Sequence, residues 1–200
     1  FMSRHPTREK LISSVLALAR DVDFERIKIE DVLGHSAVSR GSLYHHFENF
    51  EDLIAVSMTR SFAIGVDQSI EMMINMLARS ESREDFRMGV RKSILQTLVD
   101  EGVNFRLNRA RIIGLSAKYP KLKEYIAKEQ NRLSSSIETL FLKAQTAGWL
   151  RKDLDIKTAV IFIQAYTFGK VVDDISIDKL DDDRWADFIE LVIGSVLMGD

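Results

Sequence analysis

The chain has 200 residues, 46% of them hydrophobic and 29% charged, and a formal charge of −2; that balance belongs to a folded chain with a sizeable core, and it means any contact with DNA must come from a local basic patch. With no cysteine, disulfides and thiolate metal sites are excluded, and a reducing, cytoplasmic setting is expected. No apolar run approaches the roughly eighteen residues of a membrane span, and the amino terminus carries no apolar signal region, with Phe1 ahead of Met2 reading as an added residue.

Two prolines and ten glycines leave room for long helices. Pro6-Thr7 opens the first, with Thr7 as a cap and Glu9 in the first turn. Leu11, Val15, Leu18 and Ala19 recur on one side of it. Arg4, Arg8 and Lys10 fit equally well as a phosphate-facing patch and as a solvated face. The stretch from Lys28 to Leu53, KIEDVLGHSAVSRGSLYHHFENFEDL, reads as a short helix, a tight turn, a second short helix and the start of a longer one. Val32 and Leu33 form the apolar side of the first short helix, and His35-Ser36-Ala37-Val38 is the turn. Ser39 fits an N-cap. The second short helix, Ser39 to Phe47, turns Leu43 and Phe47 to one stripe. Phe24 is expected to plug a small core with Leu18, Val32, Leu43 and Phe47, which makes a helix-turn-helix module. The opposite face carries Arg40, Ser42, Tyr44, His45 and His46. Arginine can fork onto a guanine edge, and Ser, Tyr and His can reach phosphates or bases.

A long helix is expected from Glu51 to about Arg79, on a stripe from Leu53 to Leu77. Helices follow over Asp85 to Val99, ended by Glu101-Gly102, and over Phe105 to Ala117. Another runs from Pro120 to Ala147, with Gly148 as its stop. Asp155 caps a helix that is almost apolar all round, Thr158 to Val172, which implies burial on several sides. Asp173 to Asp183 reads as an acidic loop, and Arg184 to Met198 as the last helix. The fold class is all-α. The domain division expected is 1–50 for the helix-turn-helix and 51–200 for the remainder.

The residues Phe24, Ile29-Glu30-Asp31-Val32, Ala37-Val38-Ser39-Arg40-Gly41-Ser42-Leu43-Tyr44-His45-His46-Phe47 and Glu51-Asp52-Leu53 resemble the DNA-binding domain of the TetR family of transcriptional regulators. The segment Gly148 to Asp155 is similar to the connection before the penultimate helix in the ligand domains of that family. The resemblance implies an amino-terminal DNA-binding domain and a larger helical domain for ligand binding and dimerisation. It places DNA contacts on Ser39, Arg40, Gly41, Ser42, Tyr44, His45 and His46, where Gly41 allows close backbone approach and His46 holds a phosphate more firmly when protonated. Several positions depart from the family pattern. Asp23 and Ala37 stand where glycine is usual. Phe50 stands where a phosphate-binding lysine is usual. Lys28 stands where a capping threonine is usual, and its charge can partly make up for the cation absent at Phe50. Glu30 is unfavourable beside phosphates. These departures point to a weak or unusual operator affinity.

The resemblance also implies a small-molecule effector in the second domain. Phe62, Met72, Phe86, Phe105, Ile112, Tyr125, Phe162, Tyr166 and Phe168 are large side chains on helices expected to converge, and Gln164 and Tyr166 are candidate polar contacts. The same aromatics at helical spacing also suit an ordinary core. An apolar or amphipathic compound suits this lining. The last two helices are the expected homodimer surface, through Val160, Ile163, Thr167, Val171, Trp185, Phe188, Ile189, Val192 and Val196; packing on the chain's own core is the alternative for each. A twofold dimer would read a near-palindromic double-stranded operator. No catalytic grouping, metal site or cofactor motif stands out: His45 and His46 are adjacent and diverge on a helix. The expectation is a ligand-responsive regulator that is not an enzyme, most simply a repressor. The alternative is a dimeric ligand-binding protein of the same fold with weak or absent DNA binding.

Overall fold

The structure, a computed structural model, describes residues 5–199. Every regular element among them is helical. The helices are α1 (Pro6–Leu18), α2 (Ile29–Ser36), α3 (Arg40–His46), α4 (Phe50–Ala78), α5 (Arg83–Leu98), α6 (Asp100–Ser116), α7 (Pro120–Thr146), α8 (Ile156–Gly169), α9 (Val171–Asp174) and α10 (Asp182–Ile193). A 3-10 turn, Phe24–Arg26, precedes α2, and a wide π-type turn, Gly194–Met198, follows α10. No helix among the described residues is long and apolar enough to cross a membrane.

The chain folds into two compact units. The first contains residues up to 64 together with 112–129; the second contains 65–111 and 130 onward. α4, α6 and α7 therefore each contribute residues to both units. Residue 50, where the sequence suggested a domain boundary, is the first residue of α4.

In the first unit, α1 packs on α2 and α3. Leu11, Val15, Phe24, Val32, Leu43 and Phe47 are buried there. Leu18, expected in the same core, is only half-buried; it shares the stripe of Leu11 and Val15 but is the last residue of α1. α1 starts at Pro6 without a side-chain cap, so Thr7 is not the N-cap. Residues 112–129 are fastened to the module: Lys118 Nζ lies 3.3 Å from a Glu25 carboxylate oxygen, Lys121 pairs with Glu48, and Tyr125 donates its hydroxyl to Asp52 at 3.2 Å.

In the second unit, α10 packs on α5. Ala186, Ile189 and Ile193 are buried along one side of α10. Beside them Arg91 bridges Asp187 and Glu190, both at 2.7 Å, and the Phe86 and Trp149 rings lie 5.6 Å apart. α7 ends as the glycine predicts: Gly148 has φ 79°, Trp149 N–H donates to Ala144 and Gly148 N–H to Gln145, both at 3.0 Å. This crossed pair is the Schellman arrangement, and it satisfies two end-of-helix carbonyls. Asp155 caps α8 by accepting the Thr158 N–H at 2.7 Å.

Two stretches differ from the sequence reading. Glu101-Gly102 does not end a helix; it lies inside α6, and the break falls at Val99, whose φ and ψ are −68° and 162°. Asp173 and Asp174 do not lie in a loop but in α9. Lys170 and Arg106 hold them there, with Lys170 Nζ 2.5 Å from Asp173 and Arg106 forking onto both oxygens of Asp174 at 2.6 and 2.8 Å.

Candidate nucleic-acid interface and internal cavity

The interface begins at the cap of α3. Ser39 Oγ accepts the Ser42 N–H at 3.2 Å, which ties down a donor the helix itself leaves open. Leu43 and Phe47 are buried, so α3 has a fixed rotation about its axis. That rotation leaves Ser39, Arg40, Gly41, Tyr44 and His45 exposed, with Ser42 and His46 half-buried. Tyr44 keeps 49% of its surface open, a high figure for a side chain with so large an apolar body. A Cβ built on Gly41 would meet nothing within 4 Å, so this part of α3 has open space in front of it.

The turn before α3 is made at a cost. Ala37 adopts φ 51° and ψ 34°, and is the sole non-glycine residue at positive φ among those described. A left-handed residue with a Cβ is disfavoured by roughly 1–2 kcal/mol. Lys28, exposed at the start of α2, has no side-chain acceptor to offer. Asp31 supplies the reciprocal half of a capping box instead, accepting the Lys28 N–H at 3.1 Å.

Two features set the electrostatics of this face. Arg40 NH2 lies 2.8 Å from Glu30 Oε1, with both side chains largely exposed. The cation best suited to a base edge is therefore held by a carboxylate of α2. At the other end of α3, His46 stacks at 4.4 Å on His5 and at 5.1 Å, edge-on, on His45, while Arg8 lies 5.1 Å over the Phe47 ring. Partial desolvation, followed by the positive potential of His5, His45 and Arg8, holds the His46 pKa below the ordinary histidine value. Arg4, a candidate phosphate contact, lies outside the described residues.

A cavity of about 320 Å³ lies within the second unit, at the small end of the range for ligand sites. α4 contributes Met72, Met73 and Met76, α5 Phe86, Val90 and Ile94, α6 Phe105, Arg106 and Arg109, and α8 Gln164, Tyr166 and Thr167. Phe105 reaches its place because α4 has Gly65 there: a Cβ on Gly65 would fall 1.7 Å from the Phe105 ring. Burial pushes the Tyr166 phenol up to about 12, so it lines the cavity as a neutral group.

Of the ligand residues read from the sequence, Phe86, Phe105, Gln164 and Tyr166 line this cavity together. Phe62, Ile112 and Tyr125 do not; all three belong to the first unit, where Phe62 and Ile112 are core and Tyr125 bonds Asp52. Phe162 is not part of the lining either; its ring lies 5.7 Å from that of Tyr166. Met72, also read from the sequence, lines the cavity too; Met73, Met76 and the two arginines were missed. Arg106 and Arg109, three apart beside Phe105 on the helix read over Phe105 to Ala117, were the signal available.

The apolar residues read as a dimer face divide in the same way. Val160 and Ile189 are buried in the unit's own core, and Ile163 and Thr167 face the cavity, so these four are taken up inside the chain. Val171, Trp185 and Val192 are half-buried, while Phe188 and Val196 are exposed. Ile161 on α8 and Leu191 on α10, overlooked in the sequence, are 60% and 65% exposed.

No protein-family model matches the chain. It is 25% identical over 152 residues to the HTH-type transcriptional regulator CymR of Pseudomonas putida, covering 74% of this chain and 69% of that one. Among solved structures it is similar to a Mesorhizobium loti protein classed as a TetR-family transcriptional regulator, with TM-score 0.72 and 16% identity over 96% of this chain and 97% of the other. It is also similar to a Saccharomonospora viridis protein described as a transcriptional regulator and solved with choline, with TM-score 0.67 and 14% identity over 96% and 97%. Packed helices along nearly the whole length, with the turn at Ala37 and the outward face of α3 at one end, give this chain the fold of the TetR-family transcriptional regulators.

Proposed function

We propose that the protein is a ligand-responsive, DNA-binding transcriptional regulator that acts as a homodimer, and in its simplest form as a repressor. The observation that carries this reading is the rotation of α3. Leu43 and Phe47 lock one side into the core, and Arg40, Tyr44 and His45 stand on the other, exposed. A short helix with a buried stripe and a polar, partly basic outer face suits the major groove. Lys28, Ser39, Gly41, Ser42 and His46 flank it as backbone and phosphate contacts.

The cavity supplies the second half of the reading. An effector bound there would favour one arrangement of the chain, and α4, α6 and α7 run covalently from the cavity unit into the DNA-reading unit. Release of the operator then requires the effector to prefer the non-binding arrangement by several kcal/mol, on the order of 5 for near-complete switching. A twofold dimer would pair two half-sites about one duplex turn apart, near 34 Å.

Selection from a random duplex library with the full chain tests this. The expected result is enrichment of a near-palindromic motif that Arg40→Ala fails to enrich. Equal enrichment by the two proteins, or none by either, would overturn it. The Glu30–Arg40 pair favours a second reading, in which the fold is kept for ligand binding and DNA is held weakly. In that case the selection yields no motif although ligand binding persists.

A further inference from the structure

We propose that the cavity of the second unit takes a phenol-like molecule: one aromatic ring with a short apolar substituent and a hydroxyl that donates a hydrogen bond. This rests on reading the cavity as the effector site. Two glycines make room for the wall that meets the ring. A Cβ on Gly89 of α5 would fall 2.8 Å from Met76 Cγ, so α5 gives way to Met76 as Gly65 of α4 gives way to the Phe105 ring. Met72 and Met76 are four apart and share one face of α4, with Met73 beside them, and all three are only half-buried. A thioether sulfur makes a favourable contact with an aromatic ring at about 5 Å, which a saturated ring does not return. Phe86 and Phe105 add ring edges and faces from α5 and α6.

The hydroxyls of the wall define the head group. Ser69 donates to the Gly65 carbonyl at 2.9 Å, Ser93 to that of Gly89 at 2.9 Å, Thr97 to that of Ile94 at 2.7 Å and Thr167 to that of Ile163 at 2.8 Å. A hydroxyl has one proton and two lone pairs. With the proton turned back onto its own helix, each of these four has lone pairs to offer a ligand. Other donors of the wall are also engaged within the protein. Gln164 Nε2 donates to Ser134 Oγ at 3.1 Å and to the Val160 carbonyl at 3.3 Å, Arg106 donates to Asp174 and the Thr97 carbonyl, and Arg109 donates to the Gln130 side-chain oxygen at 2.7 Å. The neutral Tyr166 phenol both donates and accepts. A ligand hydroxyl uses both kinds of partner, whereas an ether oxygen only accepts and leaves the lone pairs of the wall unmatched.

Volume and charge bound the remainder. At about 30 Å³ per molecule, the cavity would hold roughly ten waters, which limits the ligand to about one ring with a short chain. An ammonium head would also donate, but it would bring a positive charge to a wall that already holds Arg106 and Arg109, while Glu101, the acidic residue in the lining, is exposed and solvated.

Calorimetric titration of the full chain with para-propylphenol, para-propylanisole and para-propylcyclohexanol separates the ring from the head group. The expected result is the phenol at least threefold tighter than either of the others. Met72→Leu combined with Met76→Leu keeps volume and apolar character, and is expected to bring the phenol down to the cyclohexanol affinity while the cyclohexanol changes less than twofold. A preference for the phenol that survives in this variant, folded, would overturn the thioether contact. Should the variant fail to fold, the ranking in the unaltered protein decides. The anisole binding as tightly as the phenol would overturn the hydrogen-bond donor, and the cyclohexanol doing so would overturn the ring; either result leaves the cavity as a ligand site. Binding of none of the three would overturn both this inference and the effector-site reading.

Discussion

At Ala37 a single methyl group sets a local stability. A left-handed backbone with a Cβ is disfavoured by roughly 1–2 kcal/mol, whereas glycine loses roughly 0.5–1 kcal/mol through its freer unfolded chain. The balance favours glycine, so Ala37→Gly is expected to stabilise the protein by about 0.5–1 kcal/mol in denaturant unfolding, with no change in the exposed face of α3. The sequence showed this position as a departure in the turn, and the geometry supplies the reason it matters. Glu30 was legible only in part. Its sign beside phosphates was evident, but the two helices had to be docked before its oxygen could be placed 2.8 Å from Arg40. Glu30→Gln releases that arginine and removes a negative charge from the face proposed to meet DNA. Because the pair is exposed, stability should stay within about 0.5 kcal/mol. DNA affinity should rise severalfold, on the order of 1 kcal/mol, measured by fluorescence anisotropy on an enriched site. The gain should vanish when Arg40→Ala is added.

At the scale of elements, the helices were readable wherever one apolar stripe faced one core. α3, α4, α7 and the cap of α8 followed from spacing, Ser39, Gly148 and Asp155. Reading failed where a residue served another element. Gly102 looked like a helix stop, but it is needed because the α5–α6 corner folds back on itself: a Cβ there would fall 2.1 Å from the Thr97 carbonyl oxygen. Asp173 and Asp174 looked like loop acids because their cationic partners lie on Lys170 and, far back in the chain, Arg106. The Arg106–Asp174 pair, each side chain 3% exposed, fastens α6 to α9. Removing one member of such a pair leaves a buried charge uncompensated, which costs roughly 3–5 kcal/mol, whereas apolar replacement of both members is often close to neutral. Asp174→Asn is therefore expected to lower unfolding free energy by about that amount. The double change Arg106→Met with Asp174→Leu should recover most of it. A small effect of Asp174→Asn alone would mean that water reaches Arg106.

For the whole molecule, the question is whether one copy acts alone. α10 carries the argument for the proposed dimer, by elimination. Ala186, Ile189 and Ile193 are spent on the chain's own core, and Asp187 and Glu190 on Arg91 of α5. The remaining side keeps Phe188 and Leu191, three apart and therefore on one stripe, 58% and 65% exposed. Lys170, at the end of α8, sits 5.8 Å over the Trp185 ring of α10, which brings the two helices together at one end, and α8 adds exposed Ile161. Exposed apolar side chains on both helices suit an interface, and the proposed dimer would cover them with its own copy by a twofold axis. Phe188→Asp sets two carboxylates against each other across such an axis while touching nothing in the core. The variant should sediment as a folded monomer with unchanged helix content. Its affinity for a palindromic site should fall far more than its affinity for a half-site, because each half would be held by one recognition helix alone. The slope of log affinity against log salt should also fall to about half, since a monomer neutralises half as many phosphates. A variant that stays dimeric and keeps full operator affinity would place the twofold contact elsewhere on the chain.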